Sequence, residues 1–381
     1  MDFEPGELQG QVAAVARRFA RERIAPAASE NDRLGRFPEE LMREAGALGL
    51  LGVNIPAAYG GSEAGAVAYA LAMMEIAAAD ASVAVTIGVT NMVGEAIAAH
   101  GTEAQRQRCL TRLASGEWLA GAFALSEAQA GSDPASIATR AERRGDGWVL
   151  SGAKQWITSG DRAGVHVVWA RTGAPAERQL TAFLVEAGTP GLLVGRHEVK
   201  MGQRASTTVE LALEDCEVGD DAVLGRPGDG FRIAMQALDG GRIGIASQAT
   251  GTMRAAIDAS VRYAKERRTF GVPIAQHQAI AFALADLQVE HDAARLLTLR
   301  AASRKDLRRP FTREASMAKL FASEAAQRAV SRAVQIHGGY GYTEEFPVAK
   351  LFRDARVQTI YEGTSEIQRL VIAREVLRAA G

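Results

Sequence analysis

Cysteine is nearly missing from this 381-residue chain, which has only Cys109 and Cys216. Neither has neighbours at metal-ligand spacing, and two thiols cannot staple a chain of this size, so a reduced, cytoplasmic protein is expected. Charge of one sign is missing too. Lys and Arg total 44 against 45 Asp and Glu, a net charge of -1, which removes nucleic acid and anionic membrane surfaces from the expected partners. No glycine triplet follows a strand and opens a helix, so a nicotinamide-type dinucleotide fold has no support. The most apolar region, 64–99, is broken by Glu75, Asp80 and Glu95. A membrane span needs about 20 apolar residues with few or no charges, so buried core helices are expected instead. The start, Met1-Asp2-Phe3-Glu4-Pro5, has neither the basic-then-apolar order of a secretory signal nor the Arg-rich, acid-poor character of an organellar transit peptide.

What is present is apolar residues in two different rhythms. They make up 47% of the chain, enough to bury more than one core, and the length suggests two or three domains. From Leu8 to about Trp118 they recur at helical steps, as in Val12, Val15 and Phe19. A loop rich in turn residues, Asn54-Ile55-Pro56-Ala57-Ala58-Tyr59-Gly60-Gly61-Ser62, interrupts that text. Near Phe123 the rhythm becomes alternating. Trp148-Val149-Leu150 and the runs 165–170, 180–185 and 207–213 read as strands, with Gly145-Asp146-Gly147 as a hairpin turn. After Phe231 long helices return, with Ile280, Leu284 and Leu287 on one face. The expectation is an α+β chain: a helical domain over 1–120, a β-barrel-like domain over 121–226 and a four-helix bundle over 227–381.

Chemistry concentrates near the C-terminus, in Ile360-Tyr361-Glu362-Gly363-Thr364-Ser365-Glu366-Ile367-Gln368-Arg369. Gly363 allows backbone conformations that a Cβ forbids. Ser365 with Gln368 three positions on has the capping-box form, which places Glu362 at a helix mouth beside N–H groups without helical partners. A carboxylate against apolar surface becomes a base near neutral pH, and free amides can hold a developing oxyanion. The plain alternative is a glutamate that only flanks a helix start, where acidic residues are favoured.

That segment resembles the catalytic segment of the acyl-CoA dehydrogenases. Four further segments resemble the family in order: Pro56-Ala57-Ala58-Tyr59-Gly60-Gly61, Phe123-Ala124-Leu125-Ser126-Glu127-Ala128-Gln129-Ala130-Gly131-Ser132, Lys154-Gln155-Trp156-Ile157-Thr158, and Leu238-Asp239-Gly240-Gly241-Arg242. One departure is Ala128, where the family usually has proline; it removes some stiffness from the loop.

The resemblance implies that Phe123, Leu125, Ser126, Gly131, Ser132, Trp156, Ile157 and Thr158 surround the isoalloxazine ring of FAD, with Ser132 also facing substrate. Glu266-Arg267-Arg268-Thr269-Phe270-Gly271 and His277-Gln278 look like the family's FAD-gripping segment, and Gln335-Ile336-His337-Gly338-Gly339 would reach the dinucleotide of a neighbouring subunit. Cofactor contacts are therefore expected from Arg267, Phe270, His277, Gln278, Gln335, Ile336, Gly338 and Gly339, and from Thr364, Ser365 and Glu366. Substrate contacts are expected from Ser132, Tyr361 and Gly363, with Asp239 and Arg242 at the nucleotide end of coenzyme A. Without the resemblance these read as a core tryptophan, a solvated Arg267 and a packed or capping His337.

Some family members carry the base just before the arginine; here Gly241 stands there and leaves the role to Glu362. The implied reaction is α,β-desaturation of a short- to medium-chain, possibly branched, acyl-CoA to a trans-2-enoyl-CoA. The thioester carbonyl would be held by the Glu362 N–H and a ribityl hydroxyl, and electrons would pass to an electron-transferring flavoprotein from a homotetramer. No metal is implied. Rival expectations are a same-fold flavin oxidase or monooxygenase, a dehydrogenase of carrier-protein thioesters, and a non-catalytic helical interaction protein.

Overall fold

The computed structural model describes residues 5–173 and 179–379. Helices come first: α1 (Glu7–Phe19), α2 (Ala25–Leu34), α3 (Glu39–Ala47), α4 (Gly65–Ala79), α5 (Ala81–His100) and α6 (Glu103–Ser115). Their ends are set by local chemistry. Asp80 opens α5 by accepting the Ser82 N–H at 2.8 Å, and Thr102 and Gln105 close a capping box on α6, which stops at left-handed Gly116. The window that makes α5 long and apolar enough to cross a membrane is 83% buried within the protein itself. It is a core helix.

Strands follow: β1 (Ala120–Ala124), β2 (Arg140–Arg144), β3 (Gly147–Thr158), β4 (Ala163–Arg171), β5 (Leu180–Glu186), β6 (Leu192–His197), β7 (Thr208–Gly219) and β8 (Val223–Leu224). They form one sheet in the order β6-β7-β3-β2-β4-β5-β8, with β1 parallel to β4. The hairpin at 145–147 joins β2 to β3, with Arg144 opposite Gly147. Periodicity had missed β2 and β6. Only Ala141 of β2 is buried and β6 has no buried residue, so neither carries the apolar alternation that marks a strand in sequence.

The chain then forms α7 (Gly230–Glu266), a two-strand hairpin of β9 (Arg268–Thr269) and β10 (Val272–Pro273), α8 (Gln278–Asp306), α9 (Thr312–His337), α10 (Pro347–Ala355) and α11 (Ser365–Ala379). Alanines make the bundle tight. Ala246 and Ala249 of α7, Ala294 and Ala301 of α8, and Ala315, Ala318 and Ala322 of α9 share one buried cluster with Ala66 and Ala70 of α4. Helices faced with methyl groups approach closely, so α4 docks into the bundle and brings the N-terminal helices against α7.

Candidate active site

The segment between α10 and α11 folds back under α7. Glu362 and Gly363 both have positive φ, 52° and 93°, a conformation costly for a glutamate and kept only where the surroundings impose it. Those surroundings are polar side chains aimed at the two carbonyls. Gln368 Nε2 donates to the Glu362 and Gly363 carbonyls at 3.3 and 2.9 Å, and Lys319 Nζ donates to Gly363 O at 2.7 Å. This corrects the expected capping box. Thr364, one residue earlier than Ser365, accepts the Ile367 N–H, while the buried Ser365 hydroxyl has no partner among the described residues and Gln368 turns back to the carbonyls.

Tyr361 fixes the segment from the other side. Its hydroxyl donates to Gln248 of α7 and accepts from Gln203 at 3.2 Å, and Gln203 is itself bound to Asp354. Among the described residues the Glu362 N–H donates to no backbone carbonyl, so it stays available to a ligand.

The Glu362 carboxylate sits at a narrow cavity of about 210 Å³, open mouth included. Tyr69 and Met73 of α4, Ala84, Val85 and Gly88 of α5, and Gly241, Gly244, Ile245 and Gln248 of α7 line it. Among the described residues Oε2 is buried without a hydrogen-bond partner. Burial pushes the carboxyl up to about 7, and the cations of Lys319 and Arg242 pull against that rise. Gly241 is a glycine for a steric reason: an added Cβ would overlap Glu362 Oε2 and stand 2.8 Å from Met92 Sδ. A base at 241 would occupy the space that Glu362 fills. Arg242 is 5% exposed and bonded to Asp239 at 2.6 Å, with Thr312 holding the other Asp239 oxygen. Its charge acts on the Glu362 carboxylate through space.

The segments expected at a flavin ring come from the sheet. Phe123 meets Trp169 in a tilted ring contact, 4.3 Å between centroids, and packs with Leu125 and Tyr361 on one apolar cluster, which brings this wall to the Glu362 segment. Between Lys154 and Ile157 the pairing of β3 with β7 slips by one residue. The resulting bulge, with Trp156 at φ 65°, turns the indole outward until it is 58% exposed. It is no core tryptophan. Thr158 is half-buried beside it, and Gly131 and Ser132 lie exposed in the preceding loop. Leu125 and Ile157 are buried in cores, so only their backbone can face a ligand, as can that of Ser126, whose carbonyl takes the Gln155 N–H.

A pair that sequence reasoning passed over ties these two segments together. Lys154, fully buried, donates to Glu127 at 2.8 Å and to Leu125 O at 3.2 Å. Glu127 also accepts from the Ala138 and Thr139 N–H groups; burial raises its carboxyl, but the Lys154 cation, with the Thr139 hydroxyl and the Ala138 N–H, holds it down at about 2.

Arg267, Phe270, His277 and Gln278 lie elsewhere. They surround the β9–β10 hairpin at the far end of α7, roughly 37 Å from Gly241 at 1.5 Å per residue. Arg267 lies over Tyr340 at 5.8 Å, Thr269 meets His277 at 2.9 Å, and Phe270 is 96% exposed. Gln335, Gly338 and Gly339 are exposed at the neighbouring end of α9, and Ile336 is packed into the hairpin's core. His337 stacks on Tyr263 and bonds Ala333 O; it is a packed residue. One chain therefore holds two groups of expected site residues that it does not bring together.

Family models describe this arrangement from end to end. Acyl-CoA dehydrogenase, N-terminal domain, matches residues 6–117, the middle domain 122–216 and the C-terminal domain 228–377. The chain belongs to the acyl-CoA dehydrogenase family. This acyl-CoA dehydrogenase is 46% identical over 375 residues to the mitochondrial short-chain specific acyl-CoA dehydrogenase of Homo sapiens, covering 98% of this chain and 91% of that one. Its fold matches butyryl-CoA dehydrogenase from Megasphaera elsdenii with a TM-score of 0.97 at 41% identity, over 99% of this chain and 100% of that one. It also matches a glutaryl-CoA dehydrogenase from Mycobacterium smegmatis in complex with FADH2, with a TM-score of 0.93 at 31% identity, over 98% and 95% of the two chains.

Proposed function

We propose that the enzyme is an FAD-dependent dehydrogenase of short, uncharged acyl-CoA thioesters, forming the trans-2-enoyl product and delivering electrons to an electron-transferring flavoprotein. The observation that carries this is the Glu362 carboxylate, with no hydrogen-bond partner for Oε2 among the described residues and a pKa near 7, at a cavity walled mainly by apolar side chains of α4, α5 and α7; the short chain rests on the likeness to short-chain relatives. Among the described residues lining the cavity, none is cationic. A terminal carboxylate, as on a glutaryl chain, would be desolvated there without a partner, so a dicarboxylic substrate is disfavoured.

The residues present fit a flavin. The outward indole of Trp156 offers a flat face, Thr158 a hydroxyl, and the loop at Gly131, where an added Cβ meets nothing within 4 Å, open space for a planar polar ring. Bound FAD supplies the acceptor for the hydride leaving the carbon one bond beyond the one that Glu362 deprotonates. The chain's own residues do the rest. Glu362 removes the proton next to the thioester carbonyl, and its backbone N–H donates to the carbonyl oxygen as charge develops there. Lining side chains of α4, α5 and α7 exclude water from the acyl chain. The free, buried Cys109 and Cys216 suit a reducing compartment such as the cytoplasm.

The far group at Arg267 and Gln335 supports a cofactor site completed by a second copy, as in a homotetramer. Anaerobic bleaching of the flavin band with a ladder of acyl-CoAs tests the assignment. Butyryl-CoA and its near neighbours should bleach, and glutaryl-CoA should not. Glu362→Gln should keep the yellow colour and substrate binding yet lose bleaching by several kcal/mol of barrier; full bleaching by that variant removes Glu362 as the base.

A further inference from the structure

Lys319 sits in the middle of an alanine stripe on α9, between Ala315, Ala318 and Ala322, and none of it is exposed. A buried ammonium demands a partner. Among the described residues no carboxylate lies within ion-pair distance of it; its hydrogen bond goes to the Gly363 carbonyl at 2.7 Å. That carbonyl belongs to the second of two consecutive left-handed residues, the first being Glu362. An amide donor from Gln368 on the same oxygen makes it doubly held.

We infer that Lys319 is a positioning residue: through Gly363 it locks the left-handed turn that points the Glu362 carboxylate at the cavity and leaves the Glu362 N–H free. The inference rests on Glu362 being the base. Its charge has a second effect. Glu362 faces Lys319 from α9 and Arg242 from α7, with the uncharged Tyr69 of α4 nearby, and Lys319 is the larger of the two cationic influences that oppose burial. Burial in turn draws the ammonium down to about 8, with Glu362, Glu366 and Glu324 resisting and Arg242 reinforcing. Removing the cation should therefore raise the pH at which Glu362 ionises.

The test uses the flavin-loaded enzyme as K319M, K319R and E362Q. Flavin reduction by butyryl-CoA is followed by anaerobic stopped flow across pH, and amide exchange is followed by mass spectrometry over 356–370. For K319M the acid limb of the rate profile should move up by about one pH unit, and amides at 361–365 should exchange about tenfold faster. K319R keeps the charge and changes the reach; its limb should stay at the wild-type position while exchange still quickens. A wild-type limb and wild-type protection in K319M overturn the inference. Where K319M does not accumulate, K319R decides alone, and wild-type protection in that variant overturns it. E362Q separates the two failures: if it still reduces flavin, the base is wrong whatever Lys319 does, whereas an inert E362Q beside an unchanged K319M rejects the clamp alone.

Discussion

Glu362 is folded at some expense, and the expense has a direction in pH. Its folded-state pKa of about 7 lies above the 4.5 of a free carboxyl, so between those values the folded chain binds a proton that the unfolded chain has released. Stability from this group is complete below about pH 4.5 and is lost as pH rises through 7, a difference of ~3 kcal/mol. With Glu362 as the proposed base, catalysis runs the other way, because only the ionised form takes a proton; the rate of flavin reduction should rise along an acid limb near pH 7. Glu362→Gln removes the titration. Its melting temperature should exceed the wild-type value at pH 8 and converge with it toward pH 4.5, as scanning calorimetry can measure. A constant offset between the two proteins at all pH values would mean that burial does not perturb this carboxyl. The sequence proposed this glutamate as the base through resemblance, but its restraint was not legible there. Lys319 and Gln368 lie 43 residues upstream and 6 downstream of it in the numbering, and only the packing of α9 under α11 aims both at the same carbonyl. The one available hint was a lysine inside an alanine stripe.

At the level of elements, the wall proposed here to face a flavin depends on a slipped register. Alternation marked β3 as a strand, yet one extra residue between Lys154 and Ile157 reverses which side chain faces out, and alternation alone put Trp156 in the core. A bulge has no compositional signature, so the sequence supported the tryptophan's role only through resemblance. Lys154 and Glu127 were hidden for a different reason: both look like ordinary surface charges, and their pairing needs β3 to lie beside the 125–130 loop. Lys154→Met should strand the Glu127 carboxylate in the interior and destabilise the protein by about 3–5 kcal/mol, while loosening the loop that flanks Trp156. Thermal melting and flavin content after gel filtration report the two effects. A variant that keeps both wild-type melting and stoichiometric flavin would show that the pair neither stabilises the domain nor shapes the cofactor berth.

Across the whole molecule, the exposed faces of α8 and α11 carry an apolar rhythm with nothing on it. Phe282, Val289 and Leu296 recur every seven residues on α8 and are 59%, 70% and 45% exposed; Leu370 and Leu377 repeat that step on α11 at 66% and 74%. Heptad spacing is what a helix uses to meet another helix, and contiguous exposed apolar surface marks a site of interaction. The same sequence reading that expected a four-helix bundle noted only the inward face of α8, since both of its faces are apolar enough to read as core. A second copy laid on these stripes would also answer the separation of Arg267 and Phe270 from Glu362 by roughly the length of α7. Val289→Asp puts a charge at the centre of the α8 stripe, far from the Glu362 cavity. Light scattering should then show a smaller assembly than the wild-type protein forms, and flavin should be lost on dilution in step with dissociation, with Glu362 and its cavity unaltered in sequence. A Val289→Asp protein of undiminished mass that holds flavin as tightly as wild type would place the subunit contact on another face.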